Sequence, residues 1–329
     1  MMHRLARLLW LASGALALTA CAGEQSAFTP KGIEAERIDT LFWVMTIAGG
    51  VIFAVVAGLT LAAMLGGPRL RAKIASEKLV IGAGILFPVV SLTALLFWGF
   101  MLMRAGEATE PSAIRVSISG ERWWWRVTYE DEAGRTVDTA NELHLPVGQP
   151  VTLTLTSPDV IHSFWVPQLA GKLDMIPGRE NILTLTATQP GISRGQCAEY
   201  CGGAHALMSF YVVAQEPDEF RRWLDAEAGA ARPPEGAEAL EGQRLFAAHG
   251  CGACHAVRGT EALGTIGPDL THVGSRHSLA AAALPNRTED FARWIRDSDH
   301  IKPENLMPPY RIFSEEELAA LAAYLEGLR

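Results

Sequence analysis

Cysteine is scarce in this chain, which contains five cysteines among 329 residues. Four of them form two close pairs, Cys197 with Cys201 and Cys251 with Cys254, and the fifth is Cys21. Both pairs have spacings that suit the binding of a metal or a cofactor. No cysteine is left over for a structural disulfide, which excludes a disulfide framework.

Basic residues are also in deficit, since 28 Lys and Arg oppose 36 Asp and Glu and leave a formal net charge of −8. Nucleic-acid binding requires a basic surface, so nucleic acid is excluded as a partner. An acidic surface outside a membrane suits a basic protein partner. The length and the 49% share of hydrophobic residues allow two compact domains with apolar segments left over for a membrane.

Charge is absent from two stretches of 25 residues, 41–65 and 79–103. As helices, both would exceed the roughly 30 Å hydrocarbon core of a bilayer, so they predict a transmembrane hairpin. The loop 66–78 carries four basic residues against one acid. Basic loops stay in the cytoplasm, which places both ends of the hairpin outside. Pro88 predicts a kink in the second helix.

The first 20 residues have the features of a signal peptide. Arg4 and Arg7 precede an apolar stretch, 8–19, that is too short to span a bilayer. The sequence Leu-Thr-Ala before Cys21 resembles a bacterial lipobox, so we expect Cys21 to become a lipidated N-terminus. An ordinary cleavage site that happens to precede a cysteine is the alternative. Residues 21–40 would then form an extracytoplasmic segment.

Alternating apolar and polar residues characterise the region 112–217. Runs such as 114–119, 124–129 and 151–157, separated by Gly, Pro and Asp turns, predict an all-β sandwich or barrel. The following segment, 218–238, is predicted to be a linker, because its second half is small, polar and proline-rich. We expect residues 229–238 to be a mobile connector rather than a packed interface.

Soft metal ligands are concentrated between residues 197 and 208. Cys197 and Cys201 lie four residues apart, His205 follows four residues later, and Met208 three after that. Thiolate, imidazole and thioether together favour copper over hard cations. A blue copper site needs one thiolate, so the second suggests two thiolates bridging two copper ions. A local disulfide or a zinc site remains open for the pair alone, although methionine is a poor zinc ligand.

A second histidine strengthens the copper hypothesis. His162 follows the predicted strand 151–157, at a loop position where functional residues are common. A lone histidine there is more often structural, but together with the later cluster it favours a ligand.

Three segments resemble the signatures of the cytochrome c oxidase subunit II family: 159–167, 172–181 and the cysteine loop. The resemblance covers about residues 35–215 and implies a periplasmic cupredoxin-like β domain with a dinuclear CuA centre. It implies that the side chain of Glu199 also reaches a magnesium ion at the boundary with the catalytic subunit. The implied copper ligands are His162, Cys197, Cys201, His205, Met208 and the backbone carbonyl of Glu199.

Three consecutive tryptophans, Trp123 to Trp125, stand in a predicted strand. Alternation puts Trp123 and Trp125 on one face and Trp124 on the other. Core packing and anchoring at a membrane interface would explain them structurally. The family resemblance implies that Trp123 is the electron entry point, although Arg122 stands where the family usually has Gln.

The motif Cys251-Gly-Ala-Cys254-His255 is the attachment signature of a c-type haem. Its cysteines would form thioethers to the haem, and His255 would bind the iron. A zinc or redox Cys pair is the alternative. Pro268, in a Gly-Pro-Asp-Leu loop, resembles the residue of cytochrome c that orients the proximal histidine. Met307, in a proline-stiffened loop, resembles the distal iron ligand of that family. Four other histidines are candidate alternative ligands, although each is more typical of a surface: His249, His272, His277 and His300.

The resemblance to class I cytochrome c covers residues 239–329 and implies an all-α domain. A capping box at Ser314 and Glu317 predicts a terminal amphipathic helix. We expect this helix to pack across an earlier one at 240–247.

Together these features predict a multi-domain membrane protein that resembles subunit II of caa-type haem–copper oxidases, in a bacterial inner membrane with both redox domains on the periplasmic side. The resemblance implies electron flow from cytochrome c, or another membrane donor, through haem c and CuA to a separate subunit I, which reduces oxygen to water and pumps protons. A CuA subunit of a nitric oxide or nitrous oxide reductase is an alternative, but the hairpin and the fused cytochrome favour the oxidase. A membrane-anchored copper carrier is another, which the haem signature argues against.

Overall fold

The computed structural model describes residues 22–107, 114–130 and 134–329. They form two compact units, one made of the long helices and one made of the β-rich and C-terminal regions together with the segment up to Ala35. The predicted signal peptide, 1–20, and the lipidation site Cys21 lie outside the described residues.

The helical unit contains two helices long and apolar enough to cross a membrane, Ile33–Leu65 and Glu77–Arg104, with mean hydropathy of 2.3 and 2.4. The first helix begins before the predicted span 41–65. The prediction counted only charge-free residues, whereas the opening turns of the helix carry charged ones. The two apolar helices of the prediction are confirmed. The α-helical elements are α1 (Ile33–Leu65), α2 (Pro68–Ile74), α3 (Glu77–Ile81) and α4 (Phe87–Glu107).

A π-helical segment, Gly82–Leu86, separates α3 from α4 and ends just before Pro88. Proline lacks a backbone N–H, and its ring clashes with the carbonyl four residues earlier, here that of Gly84. The predicted disturbance at Pro88 therefore takes the form of a widened turn on its N-terminal side.

Ten β-strands form two five-stranded sheets. The first sheet has the order β3-β2-β1-β5-β8, and the second has the order β4-β10-β9-β6-β7. The predicted all-β cupredoxin-like domain is confirmed. The strands are β1 (Ile114–Glu121), β2 (Trp124–Glu130), β3 (Thr136–Ala140), β4 (Glu142–Pro146), β5 (Pro150–Thr156), β6 (His162–Trp165), β7 (Leu173–Met175), β8 (Asn181–Thr186), β9 (Gly191–Cys197) and β10 (Ser209–Gln215).

The core of this domain comes from the alternation of the strands. On β1 and β5, every second side chain is buried, among them Val116, Ile118 and Leu153. They share one hydrophobic core with Phe164 and Phe210 of the other sheet. Sheets that bury one face in this way fix the register of their strands, because a shift by one residue would expose the apolar set.

Part of the predicted linker 218–238 is helical, which corrects that prediction. Helix α5 (Pro217–Glu227) packs on the β domain, where Phe220 is buried and Trp223 stacks on His144 with ring centroids 3.8 Å apart. Residues 228–235 lie outside regular elements. An amphipathic helix gains stability by burying its apolar side, and α5 buries that side against the preceding β domain.

The start of the connector is hydrogen-bonded to the C-terminal region. The Arg258 guanidinium donates hydrogen bonds to the carbonyls of Glu227 and Gly229 at 2.5 and 3.2 Å, and to that of Asp138 in β3 at 3.1 Å. Its five donors can satisfy several carbonyls at once. These contacts correct the expectation that the connector makes no packed interface, while its mobility stays a prediction.

The C-terminal region is helical, as predicted for a cytochrome c domain. Gly242 lies where two helices cross, because a Cβ added there would come within 2.0 Å of the Ala320 carbonyl oxygen. Ser314 and Glu317 form the predicted capping box. The regular elements here are α6 (Gly236–Ala248), β11 (Ser278–Leu279), β12 (Leu284–Pro285), α7 (Thr288–Ile301) and α8 (Glu315–Gly327).

Candidate copper and haem sites

The loop between β9 and β10 gathers the predicted copper ligands. Cys197 is the last residue of β9, and its backbone N–H donates to the Met208 carbonyl at 2.8 Å, which closes the loop. A short 3₁₀ helix, His205–Leu207, turns the chain back towards β10. The loop side chains therefore converge because both loop ends are held in one sheet.

The two thiols lie side by side, with Sγ atoms 3.7 Å apart. A disulfide would require about 2.05 Å, so the cysteines are not bonded to each other. The Nδ1 atom of His162 lies 3.8 Å from Cys197 Sγ, and that of His205 lies 3.5 Å from Cys201 Sγ. Each thiol thus has an imidazole of its own.

Two further donors lie close to the thiols. The Met208 Sδ atom is 3.9 Å from Cys201 Sγ, and the Glu199 carbonyl oxygen is 3.1 Å from Cys197 Sγ. Two thiols, two imidazoles, a thioether and a carbonyl form a soft donor set, which fits copper. The structure therefore brings together all six predicted copper ligands.

His162 is oriented by a carboxylate. Its Nε2 atom lies 2.9 Å from Asp159 Oδ1, which leaves Nδ1 facing the thiol. Asp159 also accepts hydrogen bonds from the backbone N–H groups of Val160 and Arg122. Burial raises the pKa of Asp159, but these bonds outweigh burial and lower it overall. A carboxylate on the distal ring nitrogen is the usual support of a metal-binding histidine.

The thiols differ in their acid–base behaviour. The hydrogen bond from Cys201, with help from His162, lowers the pKa of Cys197 to about 3. The same contact and burial raise the pKa of Cys201. Burial acts to lower the pKa of His162, but its contacts with Cys197 and Asp159 prevail and raise it. Without a cation, one negative charge is thus favoured between the two sulfurs.

The Glu199 side chain, the predicted magnesium ligand, points to a lysine. Its Oε2 atom lies 3.4 Å from Lys172 Nζ, which is also 3.5 Å from Asp174. The contact with Glu199 raises the pKa of Lys172. Exposed ion pairs of this kind contribute little stability, so the lysine is a weak competitor for a divalent ion.

Trp123 lies in the turn between β1 and β2 rather than within a strand. Its side chain is only 3% exposed, and Nε1 donates to the Cys201 carbonyl at 3.1 Å. Trp125 is buried as well, against Phe210, while Trp124 lies half-buried under Arg126. The predicted alternation of the three rings holds, and Trp123 lies directly against the cysteine loop.

The predicted haem residues follow α6. The thiols of Cys251, which is half-buried, and Cys254, which is exposed, are free. His255 donates from Nδ1 to the Pro268 carbonyl at 2.8 Å, and burial lowers the pKa of His255. Gly267 is required here, because a Cβ would come within 2.5 Å of the imidazole. A neutral, oriented imidazole with its other nitrogen available suits an iron ligand.

Met307 is held in a rigid loop. Its backbone N–H donates to Asn305 Oδ1, and its carbonyl accepts from Ser298 Oγ, both at 2.9 Å. Met307 and Cys251 pack against the same core.

The four other histidines of the C-terminal region differ in their contacts and exposure. His249 packs on Phe313, His277 pairs with Glu142, and His300 is exposed at the end of α7. His272 bonds the Gly229 carbonyl and is buried, so the expectation of a surface position is wrong for this residue.

Two residues near the copper loop gave no recognisable sequence signal. Lys302 is 3% exposed and donates from Nζ to the Trp123 carbonyl at 2.6 Å. The Glu304 carboxylate lies against Gly203, where an added Cβ would be 2.7 Å from Oε2. Both come from the loop before Met307, whereas Trp123 and Gly203, which they contact in the β domain, are more than 90 residues away in sequence. Only long-range packing brings them together.

Comparison with known proteins gives two family matches. Residues 130–215 match the periplasmic domain of cytochrome c oxidase subunit II, and residues 239–329 match cytochrome c.

Subunit 2 of the cytochrome c oxidase of Alkalihalophilus pseudofirmus is 34% identical over 330 residues, which cover 95% of this chain and 94% of that protein. The Bacillus subtilis subunit is 34% identical over 256 residues, covering 74% of this chain and 70% of its own.

A solved structure, the periplasmic domain of subunit II of the Bradyrhizobium japonicum cytochrome oxidase, is 30% identical and covers 36% of this chain and 95% of its own, with a TM-score of 0.34.

Proposed function

Because the chain belongs to the cytochrome c oxidase subunit II family, we propose that it is the electron-transfer subunit of a caa-type haem–copper oxidase. It would accept electrons from a cytochrome c-type donor at its C-terminal domain and pass them through its β domain to a separate subunit I. Oxygen reduction to water and proton pumping would belong to that partner. The convergence of two thiols, two imidazoles and a thioether at one site carries this proposal.

Six residues would hold two copper ions. The thiols of Cys197 and Cys201 would bridge them, and Asp159 would keep His162 in the ligating orientation. When bound, copper and haem supply one-electron redox chemistry. The protein contributes a buried, preformed ligand set, so few atoms need to move when the charge changes. The ligands would be His162, Cys197, Cys201, His205, Met208 and the carbonyl of Glu199.

The C-terminal domain would carry one covalent haem. Cys251 and Cys254 would attach it, and His255 and Met307 would ligate the iron. The Pro268 carbonyl fixes the tautomer of His255 by accepting its Nδ1 proton. Methionine ligation would raise the potential of this haem, which suits a donor to copper.

The two apolar helices anchor the chain in a membrane, and the two redox domains would stand outside the cell's inner membrane. The basic segment between the helices, which includes α2, would stay in the cytoplasm. Lipidation at Cys21 would add a second anchor. The Glu199 side chain, exposed beside Lys172, would turn to a magnesium ion at the boundary with subunit I.

Metal analysis of the purified, intact chain tests the proposal. We expect two coppers and one haem per chain, an electron paramagnetic resonance signal from one unpaired electron shared by two coppers, and a c-type visible spectrum. Oxygen consumption by the complex that purifies with the chain would separate an oxidase from a nitrogen-oxide reductase. A single copper, or zinc in a copper-replete preparation, would refute the copper assignment.

A further inference from the structure

The segment Lys302–Met307 of the C-terminal domain lies against the copper-binding domain. Lys302 is buried, and no ion pair of its amine is found among the described residues. Its Nζ donates to the backbone carbonyls of Trp123 at 2.6 Å and Ala280 at 2.8 Å. Burying an amine is costly unless its donors are satisfied. Its position is therefore tied to those two carbonyls, one in each domain.

A chain of hydrogen bonds passes through Lys302. The Met307 N–H donates to Asn305 Oδ1 at 2.9 Å, and Asn305 Nδ2 donates to the Lys302 carbonyl at 2.7 Å. Lys302 Nζ reaches the Trp123 carbonyl, and Trp123 Nε1 reaches the Cys201 carbonyl at 3.1 Å. The chain thus joins a proposed haem ligand to a proposed copper ligand and crosses between the domains at Lys302.

The loop that shares Lys302 is strained and pressed onto the same surface. Ala280, Ala281 and Ala282 have φ angles of 52°, 59° and 59°, a left-handed conformation that costs energy for residues with a Cβ. The Ala281 carbonyl accepts from the Ser209 N–H at 3.1 Å, directly after the copper loop. Such a conformation persists when surrounding contacts enforce it, which indicates a built interface.

We propose that Lys302 is the positioning residue that fixes the haem domain on Trp123 and couples the two redox centres. With Trp123 covered, an external donor must deliver its electron to the haem domain. The inference rests on the proposed function. In the coupled step one electron would pass from the haem, which would be oxidised, to the copper centre, which would be reduced, with no covalent bond formed or broken.

The lysine can play this part in either charge state. Burial lowers the pKa of Lys302 to about 7. The ammonium has three N–H donors and the neutral amine retains two, enough for the carbonyls of Trp123 and Ala280. The contact therefore does not depend on whether the side chain is charged.

Flash reduction of the haem in the intact oxidase tests the coupling. Lys302→Met keeps the length of the side chain and removes its donors. We expect the rate of copper reduction to fall on the order of tenfold, because both buried hydrogen bonds of the Lys302 amine are lost, while both midpoint potentials stay unchanged. The control Arg293→Met removes a positive charge from an exposed position on the neighbouring helix α7 and should leave the rate as it is. An unchanged rate in Lys302→Met, or equal slowing in both variants, would overturn the role of Lys302.

Hydrogen–deuterium exchange of the intact, copper-free chain provides a readout without electron transfer. In Lys302→Met, peptides covering 121–125 and 278–283 should exchange faster than in the wild type, while the β5–β8 region stays the same. Unchanged protection at both peptides would contradict the positioning role.

Mixing the wild-type oxidase with a reduced external cytochrome c tests the covered Trp123 without any variant. The haem should be reduced first and copper only afterwards, at a rate independent of the external concentration. Parallel reduction of copper would show that Trp123 is open and would overturn the inference. If the wild type shows no haem or no shared-electron copper signal, it is the proposed function that fails.

Discussion

Trp123 and Cys201 are joined by a hydrogen bond of 3.1 Å from the indole Nε1 to the backbone carbonyl oxygen. The contact spans 78 positions of sequence and is buried. Gly202, which follows Cys201, has a φ of +118°, and a Cβ there would meet the Trp123 ring at 2.9 Å. The ring thus lies in direct contact with the backbone of the copper loop, which no side chain separates from it.

This contact predicts the effect of Trp123→Phe. Phenylalanine keeps an aromatic ring but removes the N–H, which leaves the Cys201 carbonyl without this donor. We expect copper reduction after flash reduction of the haem to slow on the order of tenfold, because one buried hydrogen bond of the contact is lost. Trp124→Phe is the matched control, since Trp124 faces away and stacks on Arg126. Equal rates for Trp123→Phe and the wild type would remove Trp123 from the electron path.

The paired thiols predict the loss of the shared-electron copper signal in Cys197→Ser and in Cys201→Ser. A hydroxyl is a harder and less acidic donor than a thiol, so neither serine would bridge two coppers. We expect copper content to fall from about two per chain, with the signal lost in electron paramagnetic resonance. Cys254→Ala, which removes a cysteine elsewhere, should retain it. A shared-electron signal that survives in either serine variant would contradict bridging by both thiols.

The Met307 loop predicts a change in haem potential without loss of haem. Met307→Ala should retain the covalent haem on a denaturing gel but lower its midpoint potential, because the thioether favours ferrous iron. Leu306→Ala is the control, since Leu306 is 81% exposed. An unchanged potential, together with an unchanged sulfur-to-iron absorption band, would show that Met307 is not the ligand.

The buried Glu142 predicts how domain attachment depends on pH. Glu142 Oε2 accepts from the backbone N–H of His277 and lies 2.8 Å from its Nδ1. Burial acts to raise the pKa of Glu142, but the bonds with His144 and His277 lower it from 4.5 to about 2. The bond to Glu142 raises the pKa of His277 from 6.5, with a small contribution from Glu24.

The signs of these shifts set the expected pH window. The contribution of Glu142 to folding stability is fully present above its unfolded pKa of 4.5. It is lost as the pH falls towards the folded pKa of about 2. The contribution of His277 to folding stability is fully present below its unfolded pKa of 6.5. It is lost as the pH rises through the raised pKa of the folded state. Thermal unfolding of the intact chain should therefore show greatest stability between these values, and His277→Gln should remove the loss at higher pH. If His277→Gln lost as much thermal stability at higher pH as the wild type, that loss would belong to another group.

The crossing of α6 and α8 predicts a stability effect for Gly242→Ala. The new Cβ would come within 2.0 Å of the Ala320 carbonyl, so the helices must separate, at a cost of about 1–3 kcal/mol. Chemical denaturation followed by haem absorbance would measure this loss. Gly327→Ala, at the end of α8 with nothing within 4 Å of the added Cβ, should show none. Equal stability of the two variants would mean that the crossing tolerates a methyl group.

The local features of the sites could be predicted from sequence because their determinants are close together. Cys197, Cys201, His205 and Met208 lie within one loop, and the structure brings their donor atoms together. The capping box of α8 needs only Ser314 and Glu317. Charge-free runs likewise predicted the two membrane helices. The contacts of the connector could not be predicted, because composition alone does not show that Arg258 binds the carbonyls of Glu227 and Gly229.

The sequence by itself determined which metals and cofactors this chain can hold, because ligand chemistry depends on residue type and on short spacings. The tertiary structure alone decided how the two redox domains meet. Lys302 and Trp123 are 179 residues apart, and the hydrogen bond between them uses a backbone carbonyl, which every residue possesses. A contact of that kind leaves no pattern in the sequence, so only the packing of the two domains reveals it.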